Sequence, residues 1–443
     1  IPFVFTGHSL GRDKLLRLEQ QGVPRADMAR EYRMDHRIDV EEKILANADL
    51  VVASTRDEAE KQYGLYRNKA VPGYEIIPPG IDVERFYPYY HDADEYGEKA
   101  ERMRIAEASI TRELERFFML PEKPLILTLC RADRRKNISG LIRAYGEDLD
   151  LQAMANLAIF AGLRKDIDSM QDNEKEVLTE MLLLMDRYDL YGKMAIPKRH
   201  DFEFEVPALY RAAAVKRGLF VNAALTEPFG LTLLEASATG VPIVATKNGG
   251  PNDIIENCRN GILVDPTRPK EISEAIRKLI RGARYWEECS KNGIINVRKH
   301  YTWRSHAETY AAAAAKLTAA ETGSRMRPGG EGVSVKIGRR LLDLDYFIVS
   351  DIDNTLIGED NSRLPELLDM LARHRGRAGF GIATGRNLPA AREILERNGV
   401  PAPDVMICSV GSEIYYGSDF RFGSEWAAHI GDRWDRNKIT NIL

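Results

Sequence analysis

The sequence has few cysteines and histidines, the residues that form disulfides in small secreted proteins and that bind metals. Its 443 residues include only four cysteines and eight histidines. The cysteines are scattered and form no CxxC pair, which argues against a disulfide framework or a cysteine-ligated metal and fits a reducing cytoplasm. No stretch approaches the roughly 18 consecutive apolar residues of a membrane-spanning helix. We therefore expect a cytoplasmic protein.

An excess of either charge is also missing. Lysine and arginine number 63 against 67 aspartates and glutamates, which leaves a net charge of -4. A balance of this kind predicts no general attraction to nucleic acid or to an anionic membrane, and we expect neither as a partner. Hydrophobic residues make up 44% of the chain, as in globular proteins, and its length predicts two or three domains.

Short apolar runs alternate with stretches of helical periodicity. The runs that we interpret as strands lie at residues 4–5, 50–53, 76–77, 125–129, 157–160, 218–221, 242–245 and 345–350. This alternation predicts an α/β fold with doubly wound, Rossmann-like parallel sheets. Such sheets bind ligands beyond the carboxyl ends of their strands, so motifs that directly follow a strand are candidate sites.

Composition shifts divide the chain into five predicted parts. They are an incomplete Rossmann-like domain (1–88), a charged helical connector (89–122), a second Rossmann-like domain (123–318), a linker rich in Gly, Ser, Arg and Pro (319–342), and a partial α/β domain (343–443). The chain begins inside an apolar run without a methionine and ends soon after the last domain starts. We therefore expect it to be a fragment.

The most specific motif is Glu-Pro-Phe-Gly-Leu-Thr-Leu-Leu-Glu, which follows a predicted strand and opens a helix. Glu227 and Glu235 are eight positions apart, just over two helical turns, so they lie on roughly one face. The amides of Gly230, Leu231 and Thr232 form a helix N-terminus, which suits a phosphate. One carboxylate could accept sugar hydroxyls and the other ribose hydroxyls. Two glutamates at this spacing alone carry little information, and the Pro-Phe-Gly turn makes the motif specific.

A basic segment directly follows the apolar run 125–129. Arg131 and Lys136 in this segment could converge on a diphosphate. Transfer of a sugar from a nucleotide requires stabilisation of the departing diphosphate, and cations placed in advance can provide it without a metal. Taken alone, the segment is interpreted equally well as a basic surface loop.

A glycine-containing turn follows the first strand at residues 6–14. His8 and Ser9 could hydrogen-bond a substrate there, and Lys14 could hold a phosphate. Glycine lets the backbone approach a ligand closely. An ordinary strand-to-helix turn with a capping serine explains these residues equally well.

Two further segments offer phosphate or sugar contacts. Arg33 and Arg37 are four positions apart, so we expect them on one face of one helix, where a guanidinium pair suits a phosphate. A solvated helix face with glutamate partners is the favoured interpretation of this segment alone. Asn248, Gly249 and Gly250 follow the strand at 242–245 and supply another loop that a substrate could approach closely.

The C-terminal part carries an Asp-Ile-Asp-Asn-Thr motif directly after the run 345–350. Asp351 could attack phosphorus and form an aspartyl-phosphate, while Asp353 acts as general acid and base. Both could hold Mg²⁺, which prefers oxygen ligands. Thr384, after the next predicted strand, could steady the phosphoryl group. The alternative interpretation is an acidic turn.

The order and spacing of these motifs resemble those of the GT-B retaining glycosyltransferases. The combination resembles the sucrose-phosphate synthase family over residues 1–318, through segments 6–11, 32–42, 77–82, 131–137, 227–235 and 248–251. Residues 343–443 resemble the start of a sucrose-phosphate phosphatase of the haloacid dehalogenase superfamily. That family also needs a later lysine and a later acidic metal-binding motif, and neither can be assigned before the chain ends.

The resemblance implies retaining transfer of glucose from UDP-glucose to fructose 6-phosphate, which gives sucrose 6-phosphate and UDP. It implies that Arg131 and Lys136 contact the diphosphate, Glu227 the glucose hydroxyls and Glu235 the ribose, with His8 beside the reacting sugar. No cofactor is implied for the transfer, and Mg²⁺ is implied for the phosphatase-like domain if it functions.

For the acceptor, the resemblance implies that Lys14 and Arg37 hold the phosphate of fructose 6-phosphate. The family usually shows two consecutive arginines where this chain has His36 and Arg37, and Arg33 could compensate. Alternatives are a sucrose synthase that uses free fructose, a bifunctional synthase and phosphatase, a phosphatase whose transferase-like part only binds a nucleotide sugar, and a non-catalytic binding protein. Association with a sucrose-phosphate phosphatase is a further expectation.

Overall fold

Strands and helices alternate along the described chain. The computed structural model describes residues 3–7, 10–20, 22–91, 98–164, 166–320, 344–358 and 361–431. The chain divides into two units, Ile1–Ser324 and Arg325–Leu443. Among the residues described, no helix is both long and apolar enough to cross a bilayer.

The first unit begins with a parallel sheet. Its described elements are β1 (Val4–Thr6), α1 (Gly11–Gln20), α2 (Arg25–Tyr32), α3 (Met34–Asn47), β2 (Leu50–Ala53), a π-helical turn (Glu58–Gln62), a 3₁₀ turn (Tyr63–Leu65) and β3 (Gly73–Ile76). The strands pair in the order β1-β2-β3. All four residues of β2 are buried, as expected for a central parallel strand that is covered on both faces.

A second parallel sheet follows helix α4 (Glu98–Glu115). Its strands are β4 (Leu125–Cys130), β5 (Asn156–Ala161), β6 (Met194–Ala195), β7 (Leu219–Asn222), β8 (Ile243–Thr246) and β9 (Gly261–Val264). The helices of this part are α5 (Ile138–Gly146), α6 (Leu149–Met154), α7 (Asp172–Arg187), α8 (Glu205–Val215), α9 (Leu231–Ala238), α10 (Pro251–Cys258), α11 (Pro269–Arg281), α12 (Ala283–His300) and α13 (Trp303–Ala320). The strand order is β6-β5-β4-β7-β8-β9, so the winding reverses between β4 and β7.

Apolar side chains from this sheet enter hydrophobic clusters on both of its faces. Leu125 and Leu127 of β4 belong to one cluster, while Ile126 belongs to the other. Successive side chains of a strand point to opposite faces, so an uninterrupted apolar run supplies both clusters. Full burial of one such side chain contributes about 1.5–3 kcal/mol, and together these side chains hold the ends of β4 and β7 in place.

The last helix of the first unit returns to the first sheet. The backbone N–H of Ile81 donates to the carbonyl of Tyr301 over 2.9 Å. Further along, Ala313 of α13 packs in a buried cluster with Leu50 and Val52 of β2. Gly80 lies against the start of α13, where a Cβ would overlap the backbone of Trp303. Helix α13 therefore completes the core of the first sheet, although it follows the second sheet in sequence.

The second unit contains a mixed sheet. Its described elements are β10 (Tyr346–Ser350), α14 (Leu364–His374), β11 (Ala378–Ala383), α15 (Leu388–Arg397), β12 (Val405–Cys408), a 3₁₀ turn (Ser409–Gly411), β13 (Glu413–Tyr416), β14 (Arg421–Phe422) and α16 (Ser424–Gly431). The strands follow one another in sequence order across the sheet. β10, β11 and β12 pair in parallel, whereas β13 and β14 add antiparallel neighbours.

The sequence predicted the doubly wound α/β fold correctly, and strands lie at each predicted apolar run. The prediction that Arg33 and Arg37 share one helix is wrong. Arg33 separates α2 from α3 in a left-handed conformation, with φ 45° and ψ 43°. Strands β6, β9, β12, β13 and β14 were not predicted; β6 and β14 have only two residues each. The division of the chain into five parts stays a prediction.

Substitution Gly80→Ala should lower the stability of the first unit, because the new Cβ would overlap the backbone of Trp303. We expect a loss of about 1–3 kcal/mol, as for other overpacked sites. Gly64→Ala is the matched control, since a Cβ there meets no atom within 4 Å. Chemical denaturation followed by circular dichroism measures both variants. Equal midpoints for the two variants would show that the contact between Gly80 and α13 is unimportant.

Candidate active site

A cavity of about 330 Å³ lies at the carboxyl ends of β4 and β7. These are the two strands between which the winding reverses, and ligands of doubly wound sheets bind at such a point. The polar side chains of its wall come from five separate segments of the chain. They are Thr128, Arg131, Lys136, His200, Asn222, Thr232 and Glu235.

In the basic segment after β4, two of the cationic side chains line the cavity and two form ion pairs with acidic residues. The Asp133 carboxylate accepts from the backbone N–H of Arg135 over 2.8 Å and also pairs with its guanidinium. The hydrogen bond from the Arg135 side chain lowers the pKa of Asp133. Arg134 is exposed and pairs with a glutamate of α7. Arg131 and Lys136 remain, and both line the cavity.

Lys136 is joined to the turn after β7. Its Nζ lies 2.6 Å from Oε2 of Glu227, which is largely buried. The same oxygen accepts a hydrogen bond of 3.0 Å from Nδ2 of Asn222. Lys136 and Asn222 line the cavity, so Glu227 is held beside it. Asn222 was not predicted, although a polar residue at the end of an apolar strand is a signal in the sequence.

The turn that contains Glu227 is braced by the loop after β8. The backbone N–H of Glu227 donates to the carbonyl of Asn248 over 3.0 Å, and Gly250 donates back to the carbonyl of Glu227 over 2.9 Å. Gly249 has φ 106°, and a Cβ there would overlap the Glu227 carbonyl. The close approach predicted for these glycines therefore occurs between two backbone segments. Their predicted contact with an acceptor stays a prediction.

The second carboxylate of the motif lies on α9, as the spacing predicted. The helix begins after Gly230, which has φ 107°, so the amides of Leu231 and Thr232 lie in its first turn. Glu235 is buried in the cavity wall and accepts a 3.0 Å hydrogen bond from the hydroxyl of Tyr210. Burial raises the pKa of Glu235 to about 7, and the hydrogen bond from Tyr210 only partly opposes this rise. A neutral Glu235 is therefore accessible near physiological pH.

A buried arginine holds the loop that leads to His200 in the cavity wall. The buried guanidinium of Arg164, which follows β5, donates to the carbonyls of Ile196 over 2.7 Å and Pro197 over 3.0 Å. Burial lowers the pKa of Arg164. The loop held in this way leads to His200, which lines the cavity. Arg164 was not predicted, because its partners are backbone carbonyls more than 30 residues away in sequence.

Beside the first sheet, the buried carboxylate of Glu41, on α3, lies at the N-terminus of α1. Both oxygens of Glu41 accept from the backbone N–H of Gly11, over 3.1 and 3.0 Å. Arg37 donates to the same carboxylate over 3.1 Å, and the hydroxyl of Tyr66 donates to it as well. Arg37 thus has a glutamate partner four residues on, as the favoured interpretation of this segment predicted, although Glu41 itself is buried.

Lys14 of α1 lies with its Nζ 4.4 Å from the ring centre of Tyr32, an arrangement that favours a cation over an aromatic face. His8 and Ser9, the other candidates of this segment, lie outside the described residues. The structure therefore leaves their predicted roles untested.

The two sheets of the first unit are also linked by an ion pair. Arg56, which follows β2, donates through its backbone N–H and its Nε to the carboxylate of Asp253, over 2.8 and 2.7 Å. Glu256 of the same helix, α10, pairs with the guanidinium too. Helix α10 directly follows the loop that braces Glu227. The link therefore connects the first sheet to the immediate surroundings of the cavity.

In the second unit, the predicted phosphatase-like residues gather at the ends of β10 and β11. Asp353 forms two hydrogen bonds with the guanidinium of Arg386, over 2.7 and 2.9 Å, which lower the pKa of Asp353. Thr384 is buried and accepts from the backbone of Arg386. Across the part of the chain that is described, no three His, Cys, Asp or Glu side chains form a metal-binding group. Asp353 pairs with Arg386 here, and the prediction that Asp351 and Asp353 hold Mg²⁺ stays a prediction.

Two family models match separate parts of the chain. Residues 111–295 match the family model "Glycosyl transferases group 1", and residues 344–443 match "Sucrose-6F-phosphate phosphohydrolase". Sucrose-phosphate synthase 4 of Arabidopsis thaliana is 33% identical, over 100% of this chain and 50% of its own length. Sucrose-phosphate synthase of Zea mays is 42% identical, over 70% of this chain and 32% of its own. The chain belongs to the sucrose-phosphate synthase family. It spans half, or about a third, of these members' lengths.

Solved structures show the same fold. A sucrose-phosphate synthase from Thermosynechococcus elongatus superposes with a TM-score of 0.53 at 24% identity, over 72% of this chain and 68% of that one. Anabaena HepE, solved in complex with UDP and glucose, superposes with a TM-score of 0.51 at 16% identity, over 71% of each chain. At these identities the likeness establishes the GT-B glycosyltransferase fold and nothing about substrates.

Replacement of Glu235 by Gln should change how stability depends on pH. The pKa of Glu235 rises from 4.5 to about 7 on folding. Between these values the unfolded chain loses the proton first, so rising pH favours unfolding of the wild type. The glutamine variant lacks this penalty and should gain up to about 3 kcal/mol relative to wild type between pH 4.5 and pH 7. Unfolding curves measured across that range provide the test.

The exposed residue Glu274 supplies the control for this experiment. Its change to Gln should leave the pH dependence of unfolding as in the wild type. A Glu235→Gln variant that also follows the wild-type curve would contradict the raised pKa.

Proposed function

We propose that this chain is the donor-binding part of an enzyme that transfers glucose from UDP-glucose to fructose 6-phosphate. The products are sucrose 6-phosphate and UDP, and the anomeric configuration is retained. The observation that carries the proposal is a single cavity, at the point where the winding reverses, whose wall combines Arg131, Lys136 and Glu235. Membership of the sucrose-phosphate synthase family supports the choice of substrates.

Phosphate binding in this proposal uses fixed positive charge. Arg131 and Lys136 face the cavity, and the first turn of α9 adds backbone amides from Leu231 and Thr232. A helix N-terminus favours an anion, and cations fixed in advance stabilise the charge that develops on the leaving diphosphate. We therefore propose that glucosyl transfer requires no metal or other cofactor.

Carboxylates on either side of this phosphate site would orient the two sugars. In the proposal, Glu227 accepts hydrogen bonds from the glucose hydroxyls and Glu235 accepts them from the ribose. The leaving oxygen of UDP takes the acceptor proton on the same face of the glucose, so no protein nucleophile is needed. His8 lies beside the reacting sugar in this proposal.

The acceptor would bind on the side of the first sheet. Lys14 and Arg37 hold its phosphate, with Ser9, Arg33 and the loop Asn248–Gly250 nearby. Arg37 pairs with Glu41 over 3.1 Å, and in this proposal that carboxylate orients the guanidinium. A free sugar has no charge that would require these cations, which is why we prefer fructose 6-phosphate to fructose.

The family match of the second unit connects it with sucrose 6-phosphate, the product of the proposed transfer. Its match to the sucrose-6F-phosphate phosphohydrolase model supports sucrose 6-phosphate as its ligand. Hydrolysis there stays a prediction, with Asp351 and Asp353 as ligands of Mg²⁺ once Arg386 releases Asp353. We also propose association with a separate sucrose-phosphate phosphatase, and a cytoplasmic location in keeping with four free cysteines.

Loss of a cavity cation should weaken donor binding. Arg131→Ala and Lys136→Ala should each raise the dissociation constant of UDP-glucose at least ten-fold, since a charged hydrogen bond contributes about 1.5–3 kcal/mol. Arg134→Ala is the matched control, because this arginine belongs to the same segment but pairs with a glutamate at the surface. Isothermal titration calorimetry measures all three. Equal affinities for UDP-glucose across the set would exclude the diphosphate role.

The acceptor assignment predicts a selective kinetic effect. In the full-length enzyme, Lys14→Ala should raise the KM for fructose 6-phosphate at least ten-fold and leave the KM for UDP-glucose nearly unchanged, because only the acceptor phosphate loses a cation. Initial-rate measurements with each substrate varied in turn provide the test. The exposed residue Lys69, changed to Ala, serves as control. Equal effects on both substrates would count against this phosphate site.

A further inference from the structure

Asn222 is a buried polar residue at the centre of the candidate active site. It is the last residue of β7, it is 8% exposed, and its side chain lines the cavity. The other residues of β7 are apolar and lie in the core. A buried amide is costly unless its groups are hydrogen-bonded, so its partners indicate what it does.

Hydrogen bonds determine which way the amide of Asn222 is turned. Its Oδ1 accepts from the backbone N–H of Ala224 over 3.1 Å, and its Nδ2 donates to Oε2 of Glu227 over 3.0 Å. The opposite orientation would place an amide NH₂ against a backbone N–H and an oxygen against a carboxylate. Only one orientation satisfies both contacts. Asn222 therefore presents a donor to Glu227 from a position that its own backbone fixes.

Glu227 uses its two oxygens differently. Oε2 accepts from both Lys136 and Asn222. Oε1 accepts no hydrogen bond from the residues that the structure describes. Lys136 is a flexible side chain whose charge is attracted to a diphosphate, whereas Asn222 is short and anchored at both ends. When Lys136 turns to a phosphate, Asn222 is the side chain that still holds Oε2.

We propose that Asn222 is a positioning residue for glucose recognition. It keeps Glu227 oriented while Lys136 binds the diphosphate, and so leaves Oε1 free to accept a hydroxyl of the transferred glucose. This inference rests on the proposed function, in which Glu227 contacts glucose. It predicts that substitution of Asn222 weakens binding of the glucose part of the donor and not binding of the nucleotide part.

The test compares UDP-glucose with UDP, which lacks the sugar. Asn222→Ala removes the donor to Glu227 without placing a new charge beside the diphosphate. Calorimetry should show UDP-glucose binding weakened at least ten-fold, with UDP affinity within about two-fold of wild type, as expected when a hydrogen bond to a charged group is lost. Asn222→Asp also removes this donor, but its carboxylate adds a negative charge to the cavity wall and should weaken binding of UDP as well.

A double-variant cycle separates positioning from general damage to the fold. If Asn222 acts through Glu227, Asn222→Ala should have no further effect on UDP-glucose binding in a Glu227→Ala background. Additive losses, or equal losses for UDP and UDP-glucose, would overturn the inference and leave the proposed function standing. Failure of the wild-type chain to bind UDP-glucose would overturn the proposed function, and this inference with it.

Discussion

The ion pair between Lys136 and Glu227 is the interaction on which the candidate active site depends. It joins the segment after β4 to the turn after β7, the two strands that diverge where the winding of the sheet reverses. Without it, Lys136 would lose this partner and the largely buried Glu227 would keep only the neutral donor Asn222, which is costly in a region of low dielectric constant. A phosphate that enters the cavity can exchange one anionic partner of Lys136 for another.

Much of the fold followed from patterns that are local in sequence. Apolar runs indicated the strands, and the spacing from Glu227 to Glu235 placed the second carboxylate on a helix. Arg33 was misplaced because its left-handed backbone has no sequence signal, since it is neither glycine nor asparagine. Non-local partners such as Glu41 were missed, because Glu41 and Gly11 are 30 residues apart and meet only in the folded chain.

Two charged groups are buried in or beside the same cavity. Glu235 is held where its charged form is disfavoured, and its hydroxyl partner Tyr210 offsets only part of that cost. Arg164 is a buried cation stabilised by backbone carbonyls. Local departures of this kind from the rule that charges stay at the surface are expected at functional sites. Burial of charge is not confined to this cavity, because Glu41 and Glu58 are buried beside the first sheet.

The return of α13 to the first sheet limits how the first unit can deform. The chain passes between its sheets near Ile81 and passes back near Tyr301, and the two passages are hydrogen-bonded to each other. Two connections restrict the relative motion of the two sheets more than a single connection would. The ion pair between Arg56 and Asp253 lies close enough to Tyr301 for both charges to act on its hydroxyl. The two connections and the ion pair therefore join the sheets at one place, not at two separate places.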